Sequence, residues 1–382
     1  KMAGVSAMVS AGGRMFYIID EGPTESIQLP PKWRLVARDA FNGIVLWKRD
    51  IALWHTHLWP LKSGPAKLPR RLVAVGDRVY VTLGIETPVV ALDAATGETL
   101  RQFEGTAGSE GSIVSDGVLF ANVIEGLKAD VFKRKDPLVW QGAYRAREIG
   151  KWTAGARKQY LAAYDTNTGK QLWRKDSPVA LLTVAADAKS VYFCDGRKVV
   201  CLDRKGGQKR WESPDVGNAT KTVSSAGSTL VVYENTVFCL IGRTLAAFEA
   251  SDGKELWRTK QHPRSGHHSP GDVLIVNDLV WSGGSGGGVF VGKNVRTGKI
   301  ETSFSPPKMT WFHPRCYRSK ATDKYILASR TGIEFADVRN KTVDVNHWTR
   351  GGCLYGFMPA NGLIYNPPHP CACLLETKTA GF

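Results

Sequence analysis

The segment His369-Pro370-Cys371-Ala372-Cys373 sets two cysteines one residue apart behind a histidine. Thiolate and imidazole together suit zinc or copper. C-x-C, however, lacks the paired C-x-x-C spacing of a strong zinc signature. On a strand, Cys371 and Cys373 would point to one side, with Ala372 opposite. With Cys316 and Cys353 they make a set of four cysteines near the end of the chain. That set can hold a metal ion or form a disulfide, Cys353–Cys371 or Cys353–Cys373, in an oxidising compartment. We favour a structural tie beside a site rather than within it. Cys194, Cys201 and Cys239 sit in apolar runs ("VYFC", "VVCL", "VFCL") and read as buried thiols. No C-x-x-C-H occurs, so covalent haem attachment is not supported.

Two further groups carry chemistry. His267, His268 and His313, with Tyr317 and Arg315, have the types needed for proton transfer beside a carboxylate clamp. Arg70, Arg71, Lys221, Arg315, Arg318 and Arg350, with Glu110 and Tyr355, could converge on an anion, arginine being suited to bidentate contacts. The chain has 51 Lys and Arg against 35 Asp and Glu, a formal charge of +16, which favours anionic partners. These residues are scattered over 382 positions, so only the fold can bring them together.

The fold is announced by an internal repeat. An apolar run, an acid, a small turn with glycine and a short strand recur as "VARDAFNGIVLWKR", "VALDAATGETLRQF", "LAAYDTNTGKQLWRK", "VVCLDRKGGQKRWES", "LAAFEASDGKELWRT", "VGKNVRTGKIETSF" and "EFADVRNKTVDVNHW". The turn positions are read as Gly43, Gly97, Gly169, Gly207, Gly253, Gly298 and Asn340, spaced about 50 residues apart on average. Trp47, Trp173, Trp211 and Trp257 each follow the glycine by four residues and can bury a flat ring between sheets. A second hairpin precedes each copy, making four-stranded blades. The sequence therefore predicts an all-β, eight-bladed β-propeller in a single domain, residues 1–382. The blades fall at about 1–50, 68–104, 108–176, 179–213, 220–259, 267–304, 313–349 and 350–382. The last blade lacks its outermost strand, and the closing strand is expected from upstream sequence. Residues 124–159 form a basic, aromatic-rich insertion in blade 3. Without a recognisable nucleic-acid motif, no nucleic-acid partner is expected.

The x-Asp-x-x-(Thr)-Gly-x-x-x-Trp repeat resembles the tryptophan-docking repeat of quinoprotein-type, or pyrroloquinoline-quinone-like, β-propellers. The tail "RCYRSKAT…SRTGIEF…NHWTRGGCLYGFMPANGLIYNPPHPCAC" resembles an uncharacterised bacterial branch of that superfamily. The resemblance covers nearly the whole chain and implies the fold. It also implies a choice among quinone-dependent dehydrogenases, assembly lipoproteins and secreted proteins. The dehydrogenase reading meets three departures. No adjacent Cys-Cys pair occurs, no haem motif occurs, and the Glu, Asn and Asp of a calcium site find no match. Pyrroloquinoline quinone is therefore not expected, and the candidate metals are zinc, copper or calcium.

In such blades the glycine turns mark one face of the ring and the crossovers between blades the other. All eight histidines map to the crossover face: His55, His57, His262, His267, His268, His313, His347 and His369. The innermost strands begin there, placing the cationic residues at the channel mouth. Three functions follow. A binding or scaffold propeller for an anionic ligand, acidic polysaccharide or protein partner needs only these features. A lyase or hydrolase of acidic glycans would add the His, Tyr and Arg chemistry. A quinone-dependent dehydrogenase is the third. No apolar run is long enough to span a bilayer, and the expected location is periplasmic or extracellular.

Overall fold

Each blade begins with a hairpin whose residues alternate between the neighbouring sheets. In blade 1, Val5–Ala11 turns through Gly12 and Gly13, at φ +56° and +71°, into Arg14–Asp20. Positive φ at both turn positions matches the right-handed twist of the flanking strands. The computed structural model describes residues 4–25, 29–54, 68–128, 157–219, 228–260, 271–282, 288–307, 317–328, 332–346, 348–349, 351–352 and 355–367. Seven four-stranded antiparallel sheets follow one another, their strands in chain order. They span residues 5–50, 72–103, 109–176, 185–212, 229–260, 274–304 and 320–344. A two-stranded sheet, Met358–Ala360 with Leu363–Tyr365, is the eighth. Its expected third strand, from Cys371 onward, lies outside the described residues, as does residues 129–156 of the blade 3 insertion.

The repeat's acid makes the second turn. Asp39 accepts the N–H groups of Phe41 and Asn42, both at 2.9 Å, and Gly43 follows at φ +74°. Asp93, Asp165 and Asp203 do the same, and in blade 6 the amide oxygen of Asn294 replaces the carboxylate. In blade 7, Asp337 accepts the N–H of Asn340, so Asn340 is not the glycine-equivalent position. That position is Lys341, at φ +58°, four residues after the acid as in every other copy.

Tryptophan couples one blade to the next. The indole N–H groups of Trp47, Trp173, Trp211 and Trp257 donate to the carbonyls of Ala94, Arg204, Ala250 and Val295, at 2.9–3.1 Å. Each acceptor directly follows the acid of the next blade, or Asn294 in its place in blade 6. Each ring also lies on that blade's glycine: a Cβ on Gly207 would sit 2.7 Å from Trp173, and one on Gly97 2.6 Å from Trp47. Both glycines therefore have two constraints, a left-handed φ and a covering ring. Space for the ring comes from small cross-strand partners, Ala37, Ala163, Cys201 and Ala247. Blade 2 uses Arg101 instead, which covers Gly169 and donates to the Thr168 carbonyl at 3.1 Å.

Apolar clusters fill the junction between each pair of successive blades, and one joins the last to the first. There Tyr355 and Tyr365 pack with Met8, Tyr17 and Val36. Tyr365 donates to the Ala40 carbonyl at 2.8 Å, the blade 1 counterpart of the carbonyls that accept from indoles. Tyr355 donates to the Met8 carbonyl at 3.0 Å. The ring is thus closed by side chains of the short eighth sheet.

Two outcomes follow. Trp211→Ala removes a buried ring and its hydrogen bond, and should cost about 3–5 kcal/mol in urea unfolding. Asp165 is held below its ordinary 3.8, first by the Thr168 N–H and then by the Thr168 hydroxyl. Its contribution is present above that value and lost as pH falls through the lower folded one. Asp165→Asn should unfold less steeply with acid than the parent when melts at pH 5 and about pH 3 are compared.

Candidate functional site

The inner strands of the blades line a central bore, and the residues at their beginnings meet near one mouth. In blade 2 a single 3₁₀ turn, Leu68–Arg71, delivers Arg70 and Arg71 side by side to opposite environments. Arg71 is sealed between blades. Its Nη2 donates to Glu110 Oε1 at 2.7 Å, both side chains are at most 2% exposed, and its guanidinium lies 5.6 Å from the Trp54 ring centre. Each charge is the other's compensation for desolvation, so neither is available to a ligand in the bore. This corrects the expectation for Arg71 and Glu110: the pair ties blade 2 to blade 3. Arg70 faces the bore instead. Its stem lies against Gly111, where a Cβ would come within 3.0 Å of the Arg70 Cβ.

Arg318 enters from blade 7. Its Nη2 donates to the Thr229 hydroxyl of blade 5, and its Nε is buried without a hydrogen-bond partner. Asp272, just before the inner strand of blade 6, acts on Arg318 as the opposing charge and accepts the Ser319 N–H at 3.2 Å. Lys320 stands two residues beyond Arg318, on the same side of the strand. All three cations are half-buried, because the bore leaves part of each open.

Burial dominates the electrostatics. It pushes Lys320 down to about 8, with repulsion from Arg318 and then Arg70 adding to the effect and Asp272 opposing it. Burial likewise lowers Arg318 to about 10, against the pull of Asp272 and with a further push from Arg70. Arg70 is lowered by burial alone, and Asp272 is raised by burial despite Arg318. For Asp272 and Arg318, desolvation thus outweighs mutual attraction. Three cations that repel across a low-dielectric space, with one carboxylate against them among the described residues, focus a positive field into the bore.

The space itself is a chamber of about 740 Å³, within the size range of small-molecule sites. Arg70, Arg318 and Lys320 line one part of it, and Val9, Val73, Ile113 and Met358 are among its apolar walls. Leu182, a bulky residue held at φ +64°, contributes a further wall from blade 4. A branched side chain in the left-handed region is rare and is kept only where its surroundings require it.

The remaining sequence-predicted residues divide in two. Tyr317 is fully buried, donates to the Gly332 carbonyl at 3.1 Å and packs edge-on against Phe357. It is core, which corrects its assignment as an acid–base candidate. Tyr355 borders the chamber with its ring while its hydroxyl is committed to closing the propeller. Lys221, Arg315, Arg350, Cys316, Cys353, Cys371 and Cys373 lie outside the described residues, as do all eight histidines, His267, His268, His313 and His369 included. Among the described residues, no group of three or more His, Cys, Asp or Glu side chains is arranged to hold a metal ion. Lys320, Asp272 and Thr229 were not singled out from the sequence. The alternation Arg318-Ser319-Lys320 at a strand's beginning was the available signal for the first of them.

Lys320 supplies a direct check. Its ordinary value is 10.5, so below about 8 the folded protein carries an unfavourable buried charge, and that penalty lifts as pH rises from about 8 towards 10.5. Lys320→Met should melt at a higher temperature than the parent at pH 7. That advantage should shrink steadily between about pH 8 and 10.5 in thermal melts.

Comparison with known proteins follows the same lines. Residues 157–309 match the family described as outer membrane protein assembly factor BamB. A curated BamB from Burkholderia pseudomallei (strain K96243) is 26% identical over 257 residues, covering 59% of this chain. The chain spans only 63% of that relative's length. Among solved structures, BamB from Moraxella catarrhalis superposes with a TM-score of 0.50 at 16% identity, over 85% of this chain and 79% of that one. Quinohemoprotein alcohol dehydrogenase from Comamonas testosteroni gives 0.53 at 13% identity, over 96% and 68%. A europium-containing methanol dehydrogenase gives 0.54 at 10% identity, over 90% and 78%. At these identities the likeness to the solved structures is one of fold. The described chamber walls are mainly aliphatic, with Tyr355 and Phe357 as their aromatic members. The sequence also has no adjacent cysteine pair. The docked tryptophan repeat and these likenesses make the chain similar to the quinoprotein-like β-propellers.

Proposed function

We propose that the protein is a secreted or periplasmic binding propeller, a non-catalytic scaffold that takes an anionic group of a ligand or protein partner into its bore. The convergence of Arg70, Arg318 and Lys320 on one chamber carries this reading. Structural cations inside a protein are ordinarily paired, as Arg71 is with Glu110. Here Arg318 and Arg70 depress Lys320, and Arg70 depresses Arg318. An anion seated between them would relieve the repulsion. A protein partner and a location outside the cytoplasm gain support from the likeness to an outer membrane protein assembly factor.

Binding is tested by calorimetry with acetate, succinate, citrate and an acetylated Asp-Asp peptide. Carboxylates should bind the parent, and each of Arg70→Gln and Arg318→Gln should weaken the tightest of them about tenfold or more. Because the anion must face a protonated Lys320, affinity should fall as pH rises above about 8. No binding by any carboxylate, or binding unchanged in both arginine variants, would refute the reading.

A further inference from the structure

The bore is not uniformly polar, and its asymmetry narrows the ligand. The cations stand where inner strands begin: Arg70 just before Leu72–Val75, and Arg318 just before Lys320–Ala321. Moving along the same strands towards the glycine turns, the lining becomes Val73 and Ala74 in blade 2, and Ile113 and Val114 in blade 3. In blade 8 it becomes Met358, Pro359 and Ala360. All of these apolar residues are half-buried and line the bore. Ordinary cores do not leave a sleeve of half-covered aliphatic side chains, interrupted here by Ser10 and Ser112, around a space of about 740 Å³. A polyanion such as an acidic glycan would waste that sleeve, since its charges and hydroxyls would meet apolar walls. An acid with an aliphatic body would use both halves.

We infer that the bore is a binding site for an anionic amphiphile, an aliphatic carboxylate whose head lies between Arg70, Arg318 and Lys320 and whose chain runs along the Val73, Ile113 and Met358 walls. This rests on the reading of the bore as an anion site and names the class of anion. The head offsets the charges of Arg70, Arg318 and Lys320 that line the bore, and the chain removes apolar side chains from water. Leu182, held in its rare backbone conformation, belongs to the wall that the chain would touch.

A homologous series separates this from the broader reading. Calorimetric titration of the intact protein with acetate, butanoate, hexanoate and octanoate should give a Kd that falls about fourfold for each methylene added. Octanoate should bind more tightly than citrate or inorganic phosphate. Arg318→Gln should raise the octanoate Kd about tenfold or more. Lys320→Met is the second variant, because removal of a buried charge should leave folding intact, and it should weaken octanoate as well. Equal affinity across the series, or tighter binding of citrate than of octanoate, would overturn the amphiphile while leaving the anion site standing. Octanoate binding that survives both substitutions would place the amphiphile elsewhere and also overturn it. Failure of every anion to bind would overturn both readings.

Discussion

Everything in this molecule hangs on one contact repeated around a ring: a side chain on the outer strand of one blade lying over the left-handed glycine of the next. The acid four residues earlier bends the backbone so that the glycine is presented. The carbonyl just after that acid then accepts the indole hydrogen. The contact therefore couples a local turn to inter-blade packing, and neither half is useful without the other. Substitutes reproduce it in part. Arg101 covers Gly169 with a flexible stem and donates to the carbonyl of Thr168, just before that glycine. Tyr365 supplies the hydrogen bond to Ala40 from an inner hairpin rather than an outer strand.

Because the contact is local at its receiving end, its parts were visible in the sequence at fixed spacing. The acid, the glycine and the tryptophan could be read directly, and with them the number of blades. Blade 7 shows where this fails. With no glycine present, Asn340 was the plausible turn residue, yet the backbone register set by Asp337 puts Lys341 in the left-handed position. The row running from an aromatic residue through a small one to tryptophan, such as Phe120, Ala163 and Trp173, was equally hidden. Its members lie on three strands and only register aligns them. Blade 6 permutes the row, with Trp281 on the second strand and Thr302 on the fourth.

The site was legible in type but not in pairing. Arg70 and Arg71 are neighbours in sequence and look alike, yet one turn of helix sends Arg71 to Glu110 and leaves Arg70 on the bore. Sequence reasoning cannot separate them, because the distinction depends on a carboxylate 39 residues away. Tyr317 was misread for the same reason: its hydroxyl is spent on the Gly332 carbonyl. What remains after these structural pairs are removed is the informative part. Arg70, Arg318 and Lys320 are kept charged against burial, and the last two also against neighbouring cations, an arrangement that stability alone does not favour and that marks a place prepared for an opposite charge.

The scaffold and the site therefore make opposite use of charge. Between blades, charge is neutralised and sealed; in the bore it is concentrated and left open to one side. Anomalous diffraction from crystals of the protein soaked in bromide distinguishes these two environments directly. The account predicts an anomalous peak within the bore, in contact with Arg318 and Arg70 or Lys320, and none beside Arg71. Bromide found only on the outer surface, with no peak in the bore, would contradict it.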